Sequence, residues 1–411
     1  MTWENTKVEN LRFQLIKEYT QGNSNISRLC AHYKVSRKTA YKWLQRYLDQ
    51  GFEGLKDQSR APKQPNRKYS EEILEKAIDE KTSHMRWGPK KILVRLKKKY
   101  PTQTFPSQSR LSKFFKAHNL VKPRRNRRKV PKTSPLGELN GSNDVWMVDF
   151  KGWFLTKNRE KCEPLTITDG FSRYLIRCVN LPRKNAEFVW QIFEEAFQEF
   201  GLPKRIRSDN GPPFGCTGAG RLTKLSVYLI KAGVTPEWIN PGCPQENGRH
   251  ERFHLTLKQE IASPPAANLK AQLRLMQEFQ ESYNYERPHE ALEMETPASC
   301  YISSSRKWDG KLCSPKYEKS VEVRKVGQSG SIWLDGKEYY ISTALVGEPV
   351  GLIQVDTEHK VYYGPIFLGV IKRDKFSKPK RRLKKNEWGR CPQSPGKNAQ
   401  TAANLPFSEL D

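Results

Sequence analysis

The chain has 411 residues, with 73 Lys and Arg against 44 Asp and Glu, a formal charge of +29. That length supports about two to four domains with real cores, and the charge far exceeds the magnitude of about 2–8 that solubility alone asks for. No apolar run could span a bilayer, no signal peptide opens the chain, and the eight cysteines include no CxxC pair, which argues against a membrane, secreted or zinc-bound protein and for reduced thiols in the cytoplasm.

The charge is unevenly placed. Residues 1–140 hold 33 basic and 12 acidic side chains, residues 368–390 hold 10 and 2, and residues 141–367 are close to neutral. Two basic flanks around a neutral centre imply binding arms on a core, with a polyanion as partner.

Residues 8–19 place Val8, Leu11, Leu15 and Ile16 at helical spacing. Gly22 ends that helix, a short helix follows over 26–33, and Ser36 is a good N-cap for a third over 37–47. There Ala40, Trp43, Leu44 and Tyr47 form the inner face, while Arg37, Lys38, Tyr41 and Lys42 lie outside it. A helix-turn-helix needs this arrangement, an apolar back holding a helix whose first turns enter the major groove; a plain three-helix bundle with a solvated basic face is the alternative. This domain is assigned to residues 1–50.

Residues 51–69 read as a Pro-, Gly- and charge-rich linker. A second helical, helix-turn-helix-like DNA-binding domain is expected over 70–121. It has a helix with early acids from Glu71, a helix over 90–100 with Ile92, Leu93 and Leu96 inward and Lys97–Lys99 exposed, and a last helix over 110–118. Residues 122–140 form a basic arm in which 122–132 hold seven basic side chains. Arg124, Arg125, Arg127 and Arg128 suit contacts along phosphates, and a nuclear-localisation run is the competing reading.

Strand signals dominate the neutral centre over 145–150, 162–168 and 174–180, with a polar hairpin over 156–160. A helix follows to Gly201, then a strand over 204–208, a helix over 221–232, a strand over 234–239, a Gly/Pro loop over 240–248 and a helix over 251–261. Antiparallel strands followed by alternating helix and strand predict an α/β layer structure over residues 141–300. After a linker over 301–317, residues 318–372 alternate apolar and polar in five or six short strands, a pattern that suggests a small all-β, SH3-like barrel. Residues 373–411 are a basic and then polar tail expected to be disordered.

Five motifs in the centre carry a resemblance. They are Trp146-Met-Val-Asp149-Phe150, Thr168-Asp-Gly-Phe-Ser-Arg173, Ser208-Asp209-Asn-Gly-Pro-Pro-Phe214, Pro244-Gln-Glu-Asn-Gly-Arg-His-Glu251-Arg-Phe-His254, and Tyr283-Asn-Tyr-Glu-Arg-Pro-His-Glu-Ala-Leu292 with Thr296-Pro297. In this order they resemble the integrase core of DDE transposases from bacterial insertion sequences, related to retroviral integrases. The resemblance implies a ribonuclease-H-like core and a DNA transposase that cleaves 3′ ends and transfers them to target DNA. It implies Asp149, Asp209 and Glu251 as catalytic metal ligands, with Asp149 shared between two Mg²⁺ (or Mn²⁺) ions.

Glu246 is the other candidate for the third carboxylate; the family pattern, a Gly three residues before and Arg-Phe-His after, fits Glu251. Asp169 is a decoy for the first aspartate and is expected in a structural turn bond or a local ion pair. The 41 residues between Asp209 and Glu251 exceed the usual family spacing, an excess assigned to the segment 211–220. On the last core helix Glu251, His254, Leu255 and Lys258 share a face, which puts Lys258 beside the DNA. Gln245 and Asn247 are candidates for contacting the substrate strand, and His289 is expected to be a satisfied structural histidine.

The implied partners are double-stranded DNA, at element ends and target, and further copies of the chain, a dimer or larger on DNA, with no membrane. The implied place is the cytoplasm, nucleoid-associated when bound. Two rivals stand beside this reading, a catalytically inactive DNA-binding derivative and a ribonuclease-H-like nuclease.

Overall fold

The computed structural model describes residues 8–22, 24–57, 69–121, 139–240, 243–372 and 375–379, with no side-chain description at 244 and 245. Arg124, Arg125, Arg127 and Arg128, most of the expected linker at 58–68 and the tail from 380 lie outside the described residues. The chain divides into two compact units, residues 1–70 and 71–411.

The first unit holds α1 (Val8–Thr20), α2 (Ile26–His32) and α3 (Arg37–Gln50). Asn25 caps α2 and Ser36 caps α3, each side chain accepting from a backbone N–H of the first turn. Leu15, Ile16, Ile26, Cys30 and Ala40 are buried together, with Trp43, Leu44 and Tyr47 packed against them. One boundary differs from the sequence reading. Residues Gly51–Leu55 form a 3₁₀ turn rather than the start of a linker. Leu55 is fully buried, and Arg12 donates to its carbonyl while stacking 3.7 Å from the Trp43 ring centre.

The second unit opens with α4 (Glu71–Ser83), α5 (Pro89–Lys99) and α6 (Gln108–Ala117) around Ala77, Trp87, Ile92, Leu96, Leu111 and Phe115. The buried Glu80 carboxylate gathers Arg95, His84 and Lys99, and Arg95 also reaches Glu286 at 3.2 Å.

Next come β1 (Val145–Phe150), β2 (Phe154–Leu155), β3 (Lys161–Cys162), β4 (Pro164–Asp169), β5 (Leu175–Asn180), α7 (Ala186–Phe200), β6 (Arg205–Ser208), α8 (Lys224–Lys231), β7 (Thr235–Trp238), α9 (Gly248–Ile261), α10 (Leu269–Glu281) and α11 (Pro297–Cys300). The sheet order is β5-β4-β1-β6-β7. β1 pairs antiparallel with β4 and parallel with β6, which pairs parallel with β7.

Strand alternation sorts the side chains. Trp146, Val148, Leu165 and Ile167 share a core with Val189, Phe193 and Phe197 of α7 and Leu225 and Leu229 of α8. Cys162, Leu175 and Cys178 share a core with α9 and α10 through Phe253, Leu257, Ile261, Met276 and Phe279. Asp149 and Thr166, one residue out of phase with Val148 and Leu165, therefore face α9.

Three expectations change here. The strand expected over 162–168 is two, because Cys162 pairs with Phe154 in a separate hairpin and the Glu163 N–H turns to the Asn180 side chain. The helix expected from 221 starts at Lys224, where Thr223 and Ser226 close a capping box. The helix expected from 251 begins at Gly248.

The strands β8 (Glu322–Lys325), β9 (Ser331–Leu334), β10 (Lys337–Tyr340), β11 (Pro349–Val355), β12 (Glu358–Tyr363), β13 (Ile366–Lys372) and β14 (Lys375–Ser377) form the all-β end. They make a five-stranded antiparallel sheet, β14-β13-β12-β11-β8, and a β9–β10 hairpin. Their core continues into Ala219, Leu222, Val227 and Ile230 of the centre.

Residues 301–317, expected to be a linker, are a strap bonded to the core. Tyr301 donates to Asn143, Arg306 donates to the Pro203 and Gly233 carbonyls, and Trp308 packs edge-on to Trp190 and Phe197. Among the described residues no helix is long and apolar enough to cross a membrane.

Candidate active site

The register of the sheet brings the first two carboxylates together. Val145, Trp146 and Met147 stand opposite Arg205, Ile206 and Arg207 in the parallel pair β1–β6. Continued by two residues, that register sets Asp149 beside Asp209 at the carboxyl ends of neighbouring strands, which lie about 4.8 Å apart. The Asp209 carboxylate accepts the Gly211 N–H at 3.2 Å, which turns the chain sharply after β6. The residues that follow, 211–223, pack toward the all-β end, and Gly220, at φ +58, is so close to Leu368 and Ile366 that a β-carbon there would collide.

α9 carries Glu251 over the same face of the sheet. Its docking centres on Thr166, which stands opposite Asp149. The Thr166 hydroxyl donates to the Asp149 carbonyl at 3.0 Å, and His250 Nε2 and His254 Nε2 both lie 2.8 Å from its oxygen. That hydroxyl has one proton, already given to the carbonyl, so both imidazoles donate to it through Nε2. His250 Nδ1 then accepts from Thr168 at 3.0 Å, and His254 Nδ1 faces the Asp149 carboxyl at 3.8 Å. Burial keeps both rings neutral: it pushes His254 down to about 3, with Lys151 adding to the effect, and His250 well below its ordinary value.

Burial also pushes the Asp149 carboxyl up to about 7, helped by the negative charges of Asp209 and, more weakly, Glu251, and opposed by the Phe150 N–H and by Lys184. The charges of Asp209 and Glu251 are therefore both felt at Asp149. Glu251 is on the exposed side of α9, and among the described residues no three His, Cys, Asp or Glu side chains are gathered tightly enough to enclose a metal ion as they stand. The donor set nevertheless fits a hard divalent cation: oxygens only, net negative, and held at a cost that a cation between them would remove.

The other candidates are placed as follows. Asp169 is 1 % exposed and accepts from the Asn143 and Ser172 N–H groups and the Ser172 hydroxyl, the structural role expected for it. Glu246, within the expected Gly/Pro loop, is buried and its carboxylate accepts from the Asn240 N–H and side-chain amide. Asn247 is buried rather than turned to a substrate strand. Lys258 is exposed, and its charge helps burial to lower the Lys151 ammonium two residues beyond Asp149.

His289 does not meet the expectation of a satisfied histidine, since its Nε2 is buried without a hydrogen-bond partner among the described residues. In the first unit Arg37, Lys38, Tyr41 and Lys42 are all exposed along one side of α3. Sequence reasoning missed Thr166 and His250. Their signal lies in the β1–β4 register and the i, i+4 spacing of His250 and His254, which needs the pairing of strands before it means anything.

Two family models, each described as an integrase core domain, match residues 140–244 and 232–297. A helix-turn-helix domain matches 11–63 and a homeodomain-like domain 39–114. An uncharacterized 31.7 kDa protein of insertion element IS407 from Burkholderia multivorans is 26 % identical over 199 residues, 47 % of this chain and 69 % of the relative. An uncharacterized 39.2 kDa protein of insertion element IS476 from Xanthomonas euvesicatoria is 26 % identical over 219 residues, 53 % of this chain and 60 % of the relative. The catalytic core domain of BIV integrase aligns with 39 % of this chain and 93 % of its own length at 22 % identity and a TM-score of 0.30. The chain thus carries an integrase core domain with helix-turn-helix and homeodomain-like domains ahead of it, and it is similar to proteins of bacterial insertion elements.

Proposed function

We propose that the protein is a DNA transposase with a ribonuclease-H-like core, which binds the ends of a mobile element and catalyses metal-dependent 3′-end cleavage and strand transfer. The observation that carries this is the setting of Asp149 beside Asp209 with the Glu251 helix pinned across them by Thr166, His250 and His254. Asp149, Asp209 and Glu251 are the residues that would hold two Mg²⁺ or Mn²⁺ ions. When bound, such ions offset the negative charge that develops on the attacking and leaving oxygens.

The chain's own residues do the rest. The histidine–threonine net fixes α9 and shields one side of Asp149 from water. Lys151, Lys184 and Lys258 supply positive charge around the carboxylates. In the first step water attacks a phosphodiester at the element end, the bond from phosphorus to the 3′ oxygen breaks, and that oxygen leaves as a 3′-hydroxyl. In the second the 3′ oxygen attacks a target phosphodiester and a target 3′ oxygen leaves, so one bond forms for each that breaks.

Arg37, Lys38, Tyr41 and Lys42 read the end sequence, with Arg124, Arg125, Arg127 and Arg128 along the backbone. The C-terminal sheet and hairpin we take as a small SH3-like DNA-binding barrel. Two ends must meet one target, so the working form is a dimer or larger on DNA.

The test is joining of a 3′-OH end duplex to a plasmid in Mg²⁺, the end sequence being taken from any inverted repeats found in the DNA flanking the gene. Asp149→Asn is expected to lower joining at least about a thousandfold, as for loss of a group acting on the reacting oxygens, while binding of end DNA persists. Cleavage without joining would mark a nuclease, and equal in-cell activity of both proteins a non-catalytic binder.

A further inference from the structure

A cavity of about 610 Å³ lies beside α9, toward the end of β1 where Trp146 pairs with Asp169 and away from Asp149. None of Asp149, Asp209 and Glu251 lines it. Its cations come mainly from four places: α5 through Lys91, α9 through Arg249 and Arg252, and two separate turns that carry Arg173 and Arg287; Arg207 of β6 also lines it but pairs with Glu237 at 2.9 Å. Its acids are engaged elsewhere or lie at the rim. Asp169 and Glu246 are held by the bonds given above, and Glu290 is exposed. Arg287 pairs with Glu260 at 3.0 Å, but Lys91, Arg173, Arg249 and Arg252 form no ion pair among the described residues. Among the described residues Arg249 donates only to the Gly170 carbonyl, at 2.9 Å, and Arg173 Nε is buried with no hydrogen-bond partner, like His289 Nε2 on the same wall.

Cations drawn from four segments, most of them half-buried and short of ion-pair partners, are costly to hold. The expense is sensible if an anion joins them, and forked guanidinium donors suit a phosphate best. Burial, reinforced by Arg287 and Arg252 and only partly opposed by Glu290 and Glu260, pushes the Lys91 ammonium down to about 8. The mouth is open, since Arg252 is exposed. The cavity also joins a helix within the homeodomain-like match, α5, to the helix that bears Glu251, so an extended polyanion could cross both.

We propose that this cavity seats one backbone phosphate of duplex DNA, apart from the catalytic carboxylates, and thereby ties α5 to α9 when DNA is bound. The identity of the anion's source rests on the transposase reading; the anion site itself does not.

The test uses the full-length protein and a duplex of arbitrary sequence, because a phosphate contact is blind to sequence. Binding is followed by anisotropy across a salt series for wild type, for Lys91→Met with Arg252→Gln, and for a control that removes the same charge elsewhere, Lys311→Gln with Lys316→Gln. The cavity pair is expected to flatten the slope of log affinity against log salt by about one and to weaken binding about tenfold near 0.1 M salt, with little change in the control. The charge-keeping pair Lys91→Arg with Arg252→Lys is expected to retain the wild-type slope, which separates the site from the fold. In parallel, inorganic phosphate replaces chloride at constant ionic strength in a thermal melt. If phosphate stabilises wild type and not the cavity pair while the DNA slope is unchanged, the cavity takes a free phosphate and the DNA assignment is overturned. If neither readout separates cavity pair from control, the anion site is overturned. Joining activity is not part of either readout, so failure of the transposase reading would show in the Asp149→Asn assay instead.

Discussion

At the scale of single residues, Thr166 has the largest role for the least sequence signal. One hydroxyl serves the Asp149 carbonyl and two imidazoles, and it is fully buried. Replacing it with valine keeps the shape and leaves three buried polar groups without that partner. Thr166→Val is therefore expected to cost roughly 2–4 kcal/mol of stability, since each orphaned buried group costs about 1–3 and some will relax. Thr166→Ser, which keeps the hydroxyl and loses a methyl, should cost only about 1 kcal/mol. Urea unfolding of the three proteins decides it: equal midpoints for valine and serine would mean that the net does not hold α9. Burial, with Lys151 adding to it, keeps His254 neutral beside a carboxyl, and its one ring proton is the one given to Thr166.

At the scale of elements, the packing of the all-β end on α8 turns on Glu348. Its carboxylate accepts from Lys231 at 2.7 Å, Ser314 at 2.6 Å and Tyr363 at 2.9 Å, so it joins the helix, the strap and β12. Burial pushes this carboxyl up, but those bonds and the Lys231 charge outweigh burial and hold it below its ordinary value of 4.5. A depressed carboxyl contributes stability that is complete above the unfolded value and is lost as pH falls through the folded one. Glu348→Gln should thus lower stability by about 1–3 kcal/mol at pH 7, with the gap to wild type closing below about pH 4.5. A gap that stays constant from pH 7 to 3 would assign the loss to packing instead.

Elements whose periodicity is local were legible before the fold was known. β1, α3 and α7 fall where alternation, a Ser cap or a one-sided apolar face put them. What was not legible depends on distant partners. α10 was not read, although Gln272 is buried because its side chain bonds the Ile261 carbonyl and the Ala266 N–H across a turn. The strap at 301–317 looked like a linker because Trp308 has nothing apolar near it in sequence, only Trp190 and Phe197 in space. The carboxylates of the candidate site were found through their motifs; the net that aims α9 at them needed the register of β1 on β4.

For the whole molecule, the division at residue 70 makes a claim about independence. The core of the first unit is complete in itself, from Leu15 and Ile16 through Ala40 to Leu55, and Arg12 closes it on Asp57 and the Leu55 carbonyl. Residues 71–411 likewise share buried clusters that run from β1 to β13. A chain beginning at residue 71 should therefore fold and melt within a few degrees of the corresponding transition of the full protein, because among the described residues the buried clusters of the larger unit are built from residues after 70. It should keep salt-sensitive binding to any duplex, through the basic surface that remains after residue 70. What it should lose is preference for the element's ends, since Arg37, Lys38, Tyr41 and Lys42 leave with the first unit. Competition between end duplex and random duplex measures this directly. A truncated chain that still prefers its ends by the full margin would move sequence reading from α3 to the second helical domain.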